Sequence, residues 1–475
     1  MILLFNPRSA RWKHRLPLSL LSLGAVLEGR YDYEIVDGNF ETNAEETLSR
    51  IIREKGIRYF GVTVMPGPQL VEAITLSQKL KSRFPELVVI WGGYFPSLHA
   101  GIVADSGFVD HVITGPGEAA FLELIGKLEH GTWSMTHDPF EISSPNLRLP
   151  YQRVDVRRYI GKTCLGTRTI SYHSSFGCPF LCGFCAVAAI YKGRWSGKPA
   201  ASVAEEVLWF RDQFGVNAVE FIDNNFFVAE HRTEEIAERL RGSGITWWGE
   251  ARPDTLMGFS DSTWRTMRDG GCKMIFFGAE SSSDEVLAQM DKGGTQTSDT
   301  VLQLAERARE FGIIPEFSFV LGTPSNDMDA QIENDIRYIR RIKAINPGSE
   351  IVIYIYSPVC FDDAELLQQA RRFGFEFPKR LIDWLDPVWQ TFDLRKNPHT
   401  PWLEQRHVDR IMNFERVLNA RFPTVSDIKL KRWQTAILRT LGIWRYKLGF
   451  YAAPWEIRLV ANRLFHYRQP EIEGF

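Results

Sequence analysis

The sequence lacks several features that would assign it to a common class. It has no apolar run of the roughly eighteen residues that a transmembrane helix needs, no low-complexity tract and no convincing internal repeat. Lysine and arginine (56) nearly balance aspartate and glutamate (58), so the net charge of −2 gives no argument for a nucleic-acid partner. The apolar residues 1–5 stop at Asn6-Pro7 and precede Arg8, which predicts a first strand instead of a signal peptide. These absences predict a cytoplasmic protein.

Cysteine is also scarce, and its distribution is uneven. Three of the six cysteines, Cys178, Cys182 and Cys185, lie within eight residues at C-x3-C-x2-C spacing. Three thiolates on one loop can bind three irons of a four-iron cluster, which normally takes four thiolates. Because no fourth cysteine is local, one iron would remain for a ligand that is not protein. The spacing predicts a metal centre at these three cysteines.

Two other interpretations of this cysteine loop are open at this point. A structural zinc site normally has four ligands in two spaced pairs, and a disulfide would leave one thiol over on a short, strained loop. Both explain the spacing less well than a cluster does. The remaining Cys164, Cys272 and Cys360 are most simply free thiols, and such sparse cysteine usage fits a reducing compartment.

Residues 1–135 alternate short apolar runs with helical periodicity. Strands are predicted at 2–5, 33–36, 59–64, 87–91 and 109–114, and helices at 18–27, 44–55, 69–84 and 118–128. This order predicts an α/β fold with a doubly wound parallel sheet. Ligands of such sheets bind outside the carboxyl ends of the strands. No G-x-G-x-x-G follows the first strand, so a dinucleotide site is not predicted.

A second βα series follows an aperiodic linker at 136–165. Strands are predicted at 169–173, 218–222, 246–248, 274–277, 316–320 and 351–355, and the cysteine loop directly follows the first of them. The chemistry of βα barrels gathers at the carboxyl ends of the strands. Polar residues and glycines at these ends are therefore candidates for binding a ligand: Asp223, Asn224, Arg252, Glu280, Ser281 and Gly322. For each side chain the alternative is a strand-end cap or a surface ion pair.

At the cysteine loop the chain resembles the radical S-adenosylmethionine (SAM) superfamily, whose motif is C-x3-C-x-aromatic-C, with Phe184 in the aromatic position. The resemblance implies a partial (β/α)6 barrel over 166–360 and a [4Fe–4S] cluster whose open iron binds SAM. It implies cleavage of SAM to a 5′-deoxyadenosyl radical, driven by an electron donor such as flavodoxin or ferredoxin.

The same resemblance implies roles for the strand-end residues. By position, Asp223 and Asn224 approach the amino group of SAM, while Glu280 and Ser281 contact its ribose or methionine end. Arg252 is suited to pair with a carboxylate of SAM or substrate, because guanidinium and carboxylate groups form charge-assisted hydrogen bonds. Gly322 allows close approach of adenine to the backbone.

The N-terminal region resembles the cobalamin-binding domain of cobalamin-dependent radical SAM enzymes, through Gly92-Gly93 and the stretch Gly115-Pro116-Gly117-Glu118. This implies a cobalamin site at the strand ends, formed by Asn39, Met65, Gly92, Gly93, Gly115, Gly117 and Glu118. The D-x-H-x-x-G motif that supplies a cobalt ligand in some cobalamin proteins is absent, because Asp110-His111 does not fit it. A cobalamin-type fold that has lost its ligand is therefore the alternative.

Residues 361–475 lose the βα rhythm and are predicted to be helical, with helices at 404–419 and 430–441. Between 401 and 475, thirteen lysines and arginines face seven acidic residues, interleaved with aromatic side chains. Such helices can lie on an anionic membrane surface. They can also cap a barrel with their aromatic side chains. Cys360, just after the last barrel strand, is a candidate for quenching a substrate radical, with simple packing as its other role.

Together these features predict a cobalamin-dependent radical SAM methyltransferase that acts on an unactivated carbon of a small-molecule or lipid-like substrate. One alternative is a radical SAM cyclase or rearrangement enzyme without methyl transfer. Another is a non-catalytic iron–sulfur or cobalamin sensor. A methylthiotransferase fits less well, because the N-terminal region holds no second cysteine triad and the chain has no evident RNA-binding basic module.

Overall fold

The computed structural model describes residues 1–9, 14–131, 148–290, 294–390, 399–425 and 428–467. The chain forms two parallel sheets in sequence, followed by a group of helices. The predicted α/β class and this order are confirmed. No helix within the described ranges combines the length and the apolar character needed to cross a bilayer.

The first sheet has five parallel strands in the order β2-β1-β3-β4-β5. Its strands in chain order are β1 (Ile2–Asn6), β2 (Tyr33–Asp37), β3 (Tyr59–Thr63), β4 (Val88–Gly92) and β5 (His111–Val112). The helices around it are α1 (Leu18–Leu27), α2 (Ala44–Lys55), α3 (Pro68–Arg83), α4 (Tyr94–Leu98), α5 (Ala100–Ala104) and α6 (Glu118–His130). The strand order reverses between β1 and β3, which marks the switch point where ligands bind in such sheets.

Sequence periodicity located the long elements of this sheet well. The predicted helices 18–27 and 44–55 match α1 and α2 residue for residue. The last strand is only two residues long where six were predicted, and α4 and α5 were not predicted. A five-residue helix is too short to show a helical period, which explains why both were missed.

The second sheet has six parallel strands in the order β13-β12-β11-β10-β9-β6, beside a two-stranded antiparallel hairpin, β7-β8. Its strands are β6 (Thr169–Tyr172), β7 (Ser175–Gly177), β8 (Trp195–Gly197), β9 (Ala218–Phe221), β10 (Thr246–Ala251), β11 (Cys272–Glu280), β12 (Ile314–Leu321) and β13 (Glu350–Ile355). Its helices are α7 (Ala186–Tyr191), α8 (Ala200–Phe214), α9 (Glu230–Leu240), α10 (Pro253–Met257), α11 (Asp261–Asp269), α12 (Asp284–Gln289), α13 (Ser298–Phe311) and α14 (Met328–Ile345). All six predicted strands are present.

The C-terminal region is helical, as predicted. It contains α15 (Glu365–Arg372), α16 (Pro387–Gln390), α17 (Gln405–Arg421), α18 (Arg432–Leu448), α19 (Trp455–Arg458) and a π-helical turn at Leu459–Leu464. Helix α17 packs against both α14 and α18, so this region is anchored to the second sheet through α14.

The predicted linker 136–165 is only partly described, because 136–147 lie outside the described residues. Its described part packs against both sheets instead of crossing solvent. The Tyr159 hydroxyl donates to Asp37 Oδ2 at 2.9 Å, beside the first sheet. The Tyr151 ring lies 4.9 Å from the Phe210 ring of α8, between centroids. These contacts fix the two sheets relative to each other.

Candidate functional site

The cysteine loop begins where β7 ends and finishes at the start of α7. Gly177 has a φ of +75°, and a Cβ there would lie 2.1 Å from the carbonyl oxygen of Arg194, just before the facing strand β8, so only glycine fits. The Gly183 N–H donates to the Met290 carbonyl at 2.9 Å, and the Cys185 N–H donates to the Cys182 carbonyl at 3.1 Å. The backbone therefore holds the loop in one shape.

All six cysteines of the chain are free thiols, so the disulfide interpretation of the loop is wrong. Burial raises the pKa of Cys178, and it raises the pKa of Cys185 to about 12. Bound iron would stabilise the thiolates against this cost. Within the described ranges, no three His, Cys, Asp or Glu side chains converge on a single ion. A cube does not require such convergence, because each thiolate binds a different iron.

Two polar side chains from neighbouring strand ends reach these thiols. Arg252 Nη1 donates to Cys182 Sγ at 3.2 Å, and Asn225 Nδ2 lies 3.9 Å from Cys178 Sγ. Arg252 is 6% exposed; it pairs with Asp254 at 2.7 Å, and its guanidinium lies 3.9 Å from the Phe180 ring centroid. The sequence predicted that Arg252 pairs with a carboxylate of SAM or substrate. In the structure it contacts a predicted cluster ligand and an aspartate of its own chain.

We expect Arg252→Gln to make the reduction potential of the reconstituted cluster more negative. A hydrogen bond from a cation to a cluster sulfur stabilises the reduced cluster. Hydrogen bonds to charged groups contribute about 1.5 kcal/mol or more, which for one electron corresponds to roughly 60 mV. Redox titration followed by electron paramagnetic resonance measures the shift. Arg252→Lys, which keeps the charge, should shift the potential less, and an unchanged potential in Arg252→Gln would contradict the contact.

The stretch Asp223-Asn224-Asn225 follows β9 and turns three side chains into different surroundings. Asp223 has no exposed surface and accepts hydrogen bonds from the Ser174 N–H, at 3.1 Å to each oxygen, and from the Ser175 hydroxyl. Asn224 is exposed, whereas Asn225 is 2% exposed. The sequence placed Asp223 and Asn224 at the SAM amino group. In the structure Asp223 fixes the chain that leads into the cysteine loop.

Asn225 also has a polar atom whose partner is missing from the described part of the chain. Its Oδ1 is buried and accepts no hydrogen bond there. Its Nδ2 side faces Cys178, so this buried oxygen lies beside the cysteine loop. Sequence reasoning missed Asn225. The available signal was its place just after β9, at the strand end where ligand-binding side chains gather.

Glu280 is the last residue of β11, and both Glu280 and Ser281 are buried, at 5% and 1% exposure. Glu280 has a φ of +65°, which costs a non-glycine residue about 1–3 kcal/mol and occurs most often at binding sites. The Ser281 hydroxyl accepts the Ser283 N–H at 3.1 Å, so it caps the turn. The strained backbone follows a register shift between β11 and β12 at this point.

The remaining predicted SAM residues lie near the carboxyl ends of the strands of the second sheet. Gly322 has a φ of +73°, and a Cβ there would lie 2.8 Å from Leu403 Cδ1, so the C-terminal region closes one side of it. Phe184 is partly buried and packs against the core.

Cys360 is partly buried, and burial raises the pKa of its thiol. Its loop reaches the cysteine loop, since a Cβ on Gly183 would lie 3.5 Å from the Ala364 side chain.

Burial alternates along β10 and defines an inner face of the second sheet. Trp247, Gly249 and Ala251 are buried, whereas Trp248 and Glu250 are partly exposed. The register places Glu250 beside Phe276 and Phe276 beside Glu316, which are both partly exposed as well. The opposite face packs on helices, for example where the Tyr172 and Phe210 rings lie 6.4 Å apart.

This inner face carries several carboxylates. Trp248 Nε1 donates to Glu316 Oε2 at 3.2 Å, and Glu220 lies 3.9 Å from Arg15, which belongs to the N-terminal region. Burial raises the pKa of Glu250 to about 7; Arg15 opposes this shift and Asp223 adds to it. The face therefore combines an aromatic surface with hydrogen-bond acceptors and one carboxyl group that titrates near neutrality.

We expect the stability of the metal-free protein to carry a pH dependence that Glu250→Gln removes. The folded-state pKa near 7 exceeds the ordinary value of 4.5, so folding favours the protonated form. The stabilising contribution is complete below about pH 4.5 and is lost as the pH rises through 7. The shift corresponds to about 3 kcal/mol at most.

Thermal unfolding of wild type and Glu250→Gln at pH 5 and pH 8 measures this effect. The stability of the variant relative to wild type should rise between the two values. Glu86→Gln, at an exposed loop position, serves as the control and should parallel wild type. Parallel curves for Glu250→Gln and wild type would contradict the raised pKa.

At the first sheet, the predicted cobalamin residues lie on the loops after the strands. Asn39 Nδ2 donates to Asp37 Oδ1 at 2.8 Å, and Asn39 Oδ1 accepts the Ser9 N–H at 2.9 Å. Met65 is exposed at 49%, and its backbone N–H donates to Gln69 Oε1 at 3.1 Å. Hydrogen bonds thus order these loops and leave the Met65 side chain at the surface of the switch point.

Ser97 of α4 joins two of the predicted glycine segments. Its hydroxyl donates to the Gly93 carbonyl at 2.6 Å and accepts the Gly115 N–H at 3.0 Å. Gly93 has a φ of +100°, and a Cβ there would lie 3.1 Å from Thr63 Oγ1, so the turn after β4 requires glycine. Gly92, the last residue of β4, is under no such restriction. No sequence pattern indicated a role for Ser97.

The carboxyl ends of the strands of the first sheet face the cysteine loop. Helix α4 packs against α7, which begins directly after Cys185. Gly117 precedes α6, whose first residue is Glu118; burial raises the Glu118 pKa, and Ser22 donates a hydrogen bond that opposes the shift. Glu118 in turn contributes to the raised pKa of Tyr191 at the end of α7. The two predicted cofactor sites therefore face each other across one interface.

Two known protein families match this chain, one in the region of each sheet. A model of the radical SAM superfamily matches residues 172–373, and a model of the B12 binding domain matches residues 16–125. The chain therefore contains a radical SAM domain, preceded by a B12 binding domain. The match begins on β6 and includes the whole cysteine loop, so it favours the iron–sulfur cluster over zinc. The predicted cofactors, a [4Fe–4S] cluster, SAM and cobalamin, agree with the two domains.

Curated proteins similar to this chain include several enzymes. It is 26% identical to an uncharacterized methyltransferase of Pyrococcus horikoshii over 69% of this chain and 73% of the relative. It is 24% identical to the anaerobic magnesium-protoporphyrin IX monomethyl ester cyclase of a Synechocystis strain, over 67% and 70%. The fold is similar to that of TsrM from Kitasatospora setae, a radical SAM methyltransferase solved with tryptophan and a SAM analogue. The TM-score is 0.66 at 16% identity, covering 98% of this chain and 99% of TsrM.

Proposed function

We propose that this protein is a cobalamin-dependent radical SAM methyltransferase that acts on a carbon atom of a small-molecule substrate. The observation that carries the proposal is the interface at which α4 of the B12 binding domain meets α7 behind the cysteine loop. Any methyl carrier at the edge of the first sheet would sit close to a cluster bound by Cys178, Cys182 and Cys185. When bound, the cluster and SAM supply a 5′-deoxyadenosyl radical, and cobalamin carries the methyl group.

The chain's own residues would hold and orient these groups. The three cysteines bind the cluster, and Arg252 and Asn225 donate to their sulfur atoms. Asp223 holds the start of the loop through Ser174. We propose that SAM lies along the strand ends, in contact with the remaining predicted residues, Phe184, Asn224, Glu280, Ser281 and Gly322. The cobalamin residues remain as predicted: Asn39, Met65, Gly92, Gly93, Gly115, Gly117 and Glu118.

The substrate would occupy the inner face of the second sheet. Trp248 offers an aromatic surface there, and the Glu250 carboxyl can accept or donate a proton near neutral pH. A substrate with a ring and a hydrogen-bond donor fits this lining better than a long acyl chain does. Cys360 could quench a substrate radical only if its side chain reaches this space, so it remains a secondary proposal.

The division into domains at 1–135, 136–165, 166–360 and 361–475 also remains a proposal. We further propose that flavodoxin or ferredoxin supplies the electron and that the enzyme works in the cytoplasm. A nucleic-acid partner is not part of the proposal, since the near-zero net charge favours none.

A radical SAM cyclase without methyl transfer is the second candidate, because one relative of similar coverage is a cyclase. Product analysis distinguishes the candidates. The reduced, reconstituted protein is incubated with methyl-labelled SAM and a small-molecule cell extract. A methyltransferase forms S-adenosylhomocysteine and 5′-deoxyadenosine together, with label in a new product. A cyclase forms 5′-deoxyadenosine alone, and a non-catalytic sensor forms neither.

A further inference from the structure

One side of α18 exposes large apolar side chains to solvent. Trp433, Ile437, Trp444 and Leu448 are 56%, 41%, 44% and 76% exposed. Their spacing of four, eleven and fifteen residues from Trp433 places all of them on one side of the helix. The opposite side is buried through Leu438, Gly442 and Arg445. Apolar side chains therefore lie on the outer as well as the inner side of this helix.

The exposed apolar surface continues past the end of α18. Trp455, Leu459 and Leu464 are 67%, 47% and 64% exposed. The Trp433 ring lies 5.3 Å from the Phe465 ring, between centroids, so the start of α18 meets the end of the π-helical turn. We call the side chains of Trp433, Ile437, Trp444, Leu448, Trp455, Leu459 and Leu464 the apolar face. Large exposed apolar side chains grouped on one helix and the turn beside it are typical of an interaction site.

The charge of the surrounding segment is strongly one-sided. Residues 428–467 contain eight lysines and arginines and one acidic residue, Glu456. Glu456 pairs with Arg445, which is 3% exposed, so this carboxylate is already neutralised inside the fold. Arg432, Arg439 and Lys447 are exposed on α18 itself. The cations therefore accompany the apolar face without acidic neighbours in this segment.

We propose that the apolar face and its cations dock on an anionic lipid bilayer, with α18 lying in the interfacial plane. Tryptophan is enriched at the boundary between lipid and water, and lysine and arginine beside it are attracted to anionic headgroups. A second copy of this chain is a poorer occupant, because it would bring the same cations together. The sequence alone left a packed cap and a membrane surface open. In the structure Trp402 is buried and donates to the Gly322 carbonyl at 2.8 Å, whereas the side chains of the apolar face are 41–76% exposed.

The first test is cosedimentation of the full chain with vesicles of phosphatidylcholine alone or with phosphatidylglycerol added. We expect at least about tenfold tighter binding to the anionic vesicles, weakening as salt rises. Changing Arg432, Arg439 and Lys447 together to Gln should cost up to about a hundredfold, since each cation near the surface contributes about 1 kcal/mol. Equal or absent binding to both vesicle types would overturn the proposal.

Variants of the apolar face provide the second test. Trp455→Ser combined with Leu459→Ser should weaken binding by at least about tenfold. Ile382→Ser, which changes an apolar residue of 40% exposure outside the face, is the matched control. Circular dichroism and cluster absorbance should stay unchanged in all variants, so loss of the fold would be recognised.

Other occupants give different results. A wild-type dimer that becomes monomeric in the Trp455→Ser, Leu459→Ser variant would assign the face to a second copy. If the full chain does not bind vesicles but a chain truncated after Tyr467 does, residues 468–475 are the occupant of the apolar face in the full chain. Either result would overturn membrane docking. Neither result depends on the proposed methyl transfer, which is measured separately by its products.

Discussion

Cys182→Ala is expected to remove the four-iron absorbance and to reduce SAM cleavage to background. With two thiolates left, Cys178 and Cys185, the loop can hold only two corners of a cube. Because a SAM-binding iron exists only in the assembled cluster, no 5′-deoxyadenosine should form under reducing conditions. Iron and sulfide content, visible absorbance and 5′-deoxyadenosine are measured on anaerobically reconstituted protein.

Cys164→Ala is the control for this prediction, because Cys164 is an exposed cysteine outside the motif. It should retain the iron content and cleavage rate of wild type. Cys360→Ala should also keep the cluster, whatever its effect on the final product. SAM cleavage at the wild-type rate in Cys182→Ala would refute the assignment of the loop.

Asp223→Ala should have the second largest effect. It should lower the stability of the fold directly and affect SAM binding only as a consequence. The substitution leaves the Ser174 N–H and hydroxyl and the Ser175 hydroxyl without their buried acceptor. Each buried donor left without an acceptor costs about 1–3 kcal/mol, so the melting temperature should fall by roughly 5–10 °C. Because Ser174 leads into the cysteine loop, iron content should fall as well.

Asn224→Ala is the matched control, since Asn224 is the exposed neighbour on the same loop. It should leave melting temperature and iron content unchanged, and any effect should appear in SAM affinity alone. If Asp223→Ala keeps normal stability and iron but binds SAM weakly, the positioning role fails. The direct contact with SAM implied by the family resemblance would then be correct.

The sequence predicted the fold almost completely, because long strands and helices leave strong periodic signals. Besides β5, α4 and α5, the bounds of β10 and β11 were exceptions. Predicted at 246–248 and 274–277, they run to Ala251 and Glu280. Gly249, Glu250 and Gly278 have low strand propensity, but each of the two strands pairs on both sides within the sheet, which overrides that preference.

The site was predicted less completely than the fold. Spacing alone located Cys178, Cys182 and Cys185, since three ligands on one loop are visible in the sequence. Residues brought in from other elements were not visible. The contact of Arg252 with Cys182 joins positions 70 residues apart, and whether Asp223 faces SAM or Ser174 depends on the rotation of one strand end. Such facts arise from tertiary packing and leave no local pattern.

The sequence also did not predict the interface between the two sheets. Residues 151–159 looked like linker, yet Tyr159 bonds to Asp37 and Tyr151 packs on α8. Burial of His99 between Phe95 and Trp384 lowers its pKa to about 4. His99 is therefore neutral at physiological pH and belongs to the packed surface under α4.

The most direct test of the account is the cobalamin content of the reconstituted protein. Protein is reconstituted anaerobically with iron, sulfide and hydroxocobalamin, desalted, and assayed for iron and for the visible spectrum of cobalamin. We expect about four irons and close to one cobalamin per chain. A full cluster without retained cobalamin would contradict this expectation, and the radical SAM reaction without methyl transfer would then become the leading function.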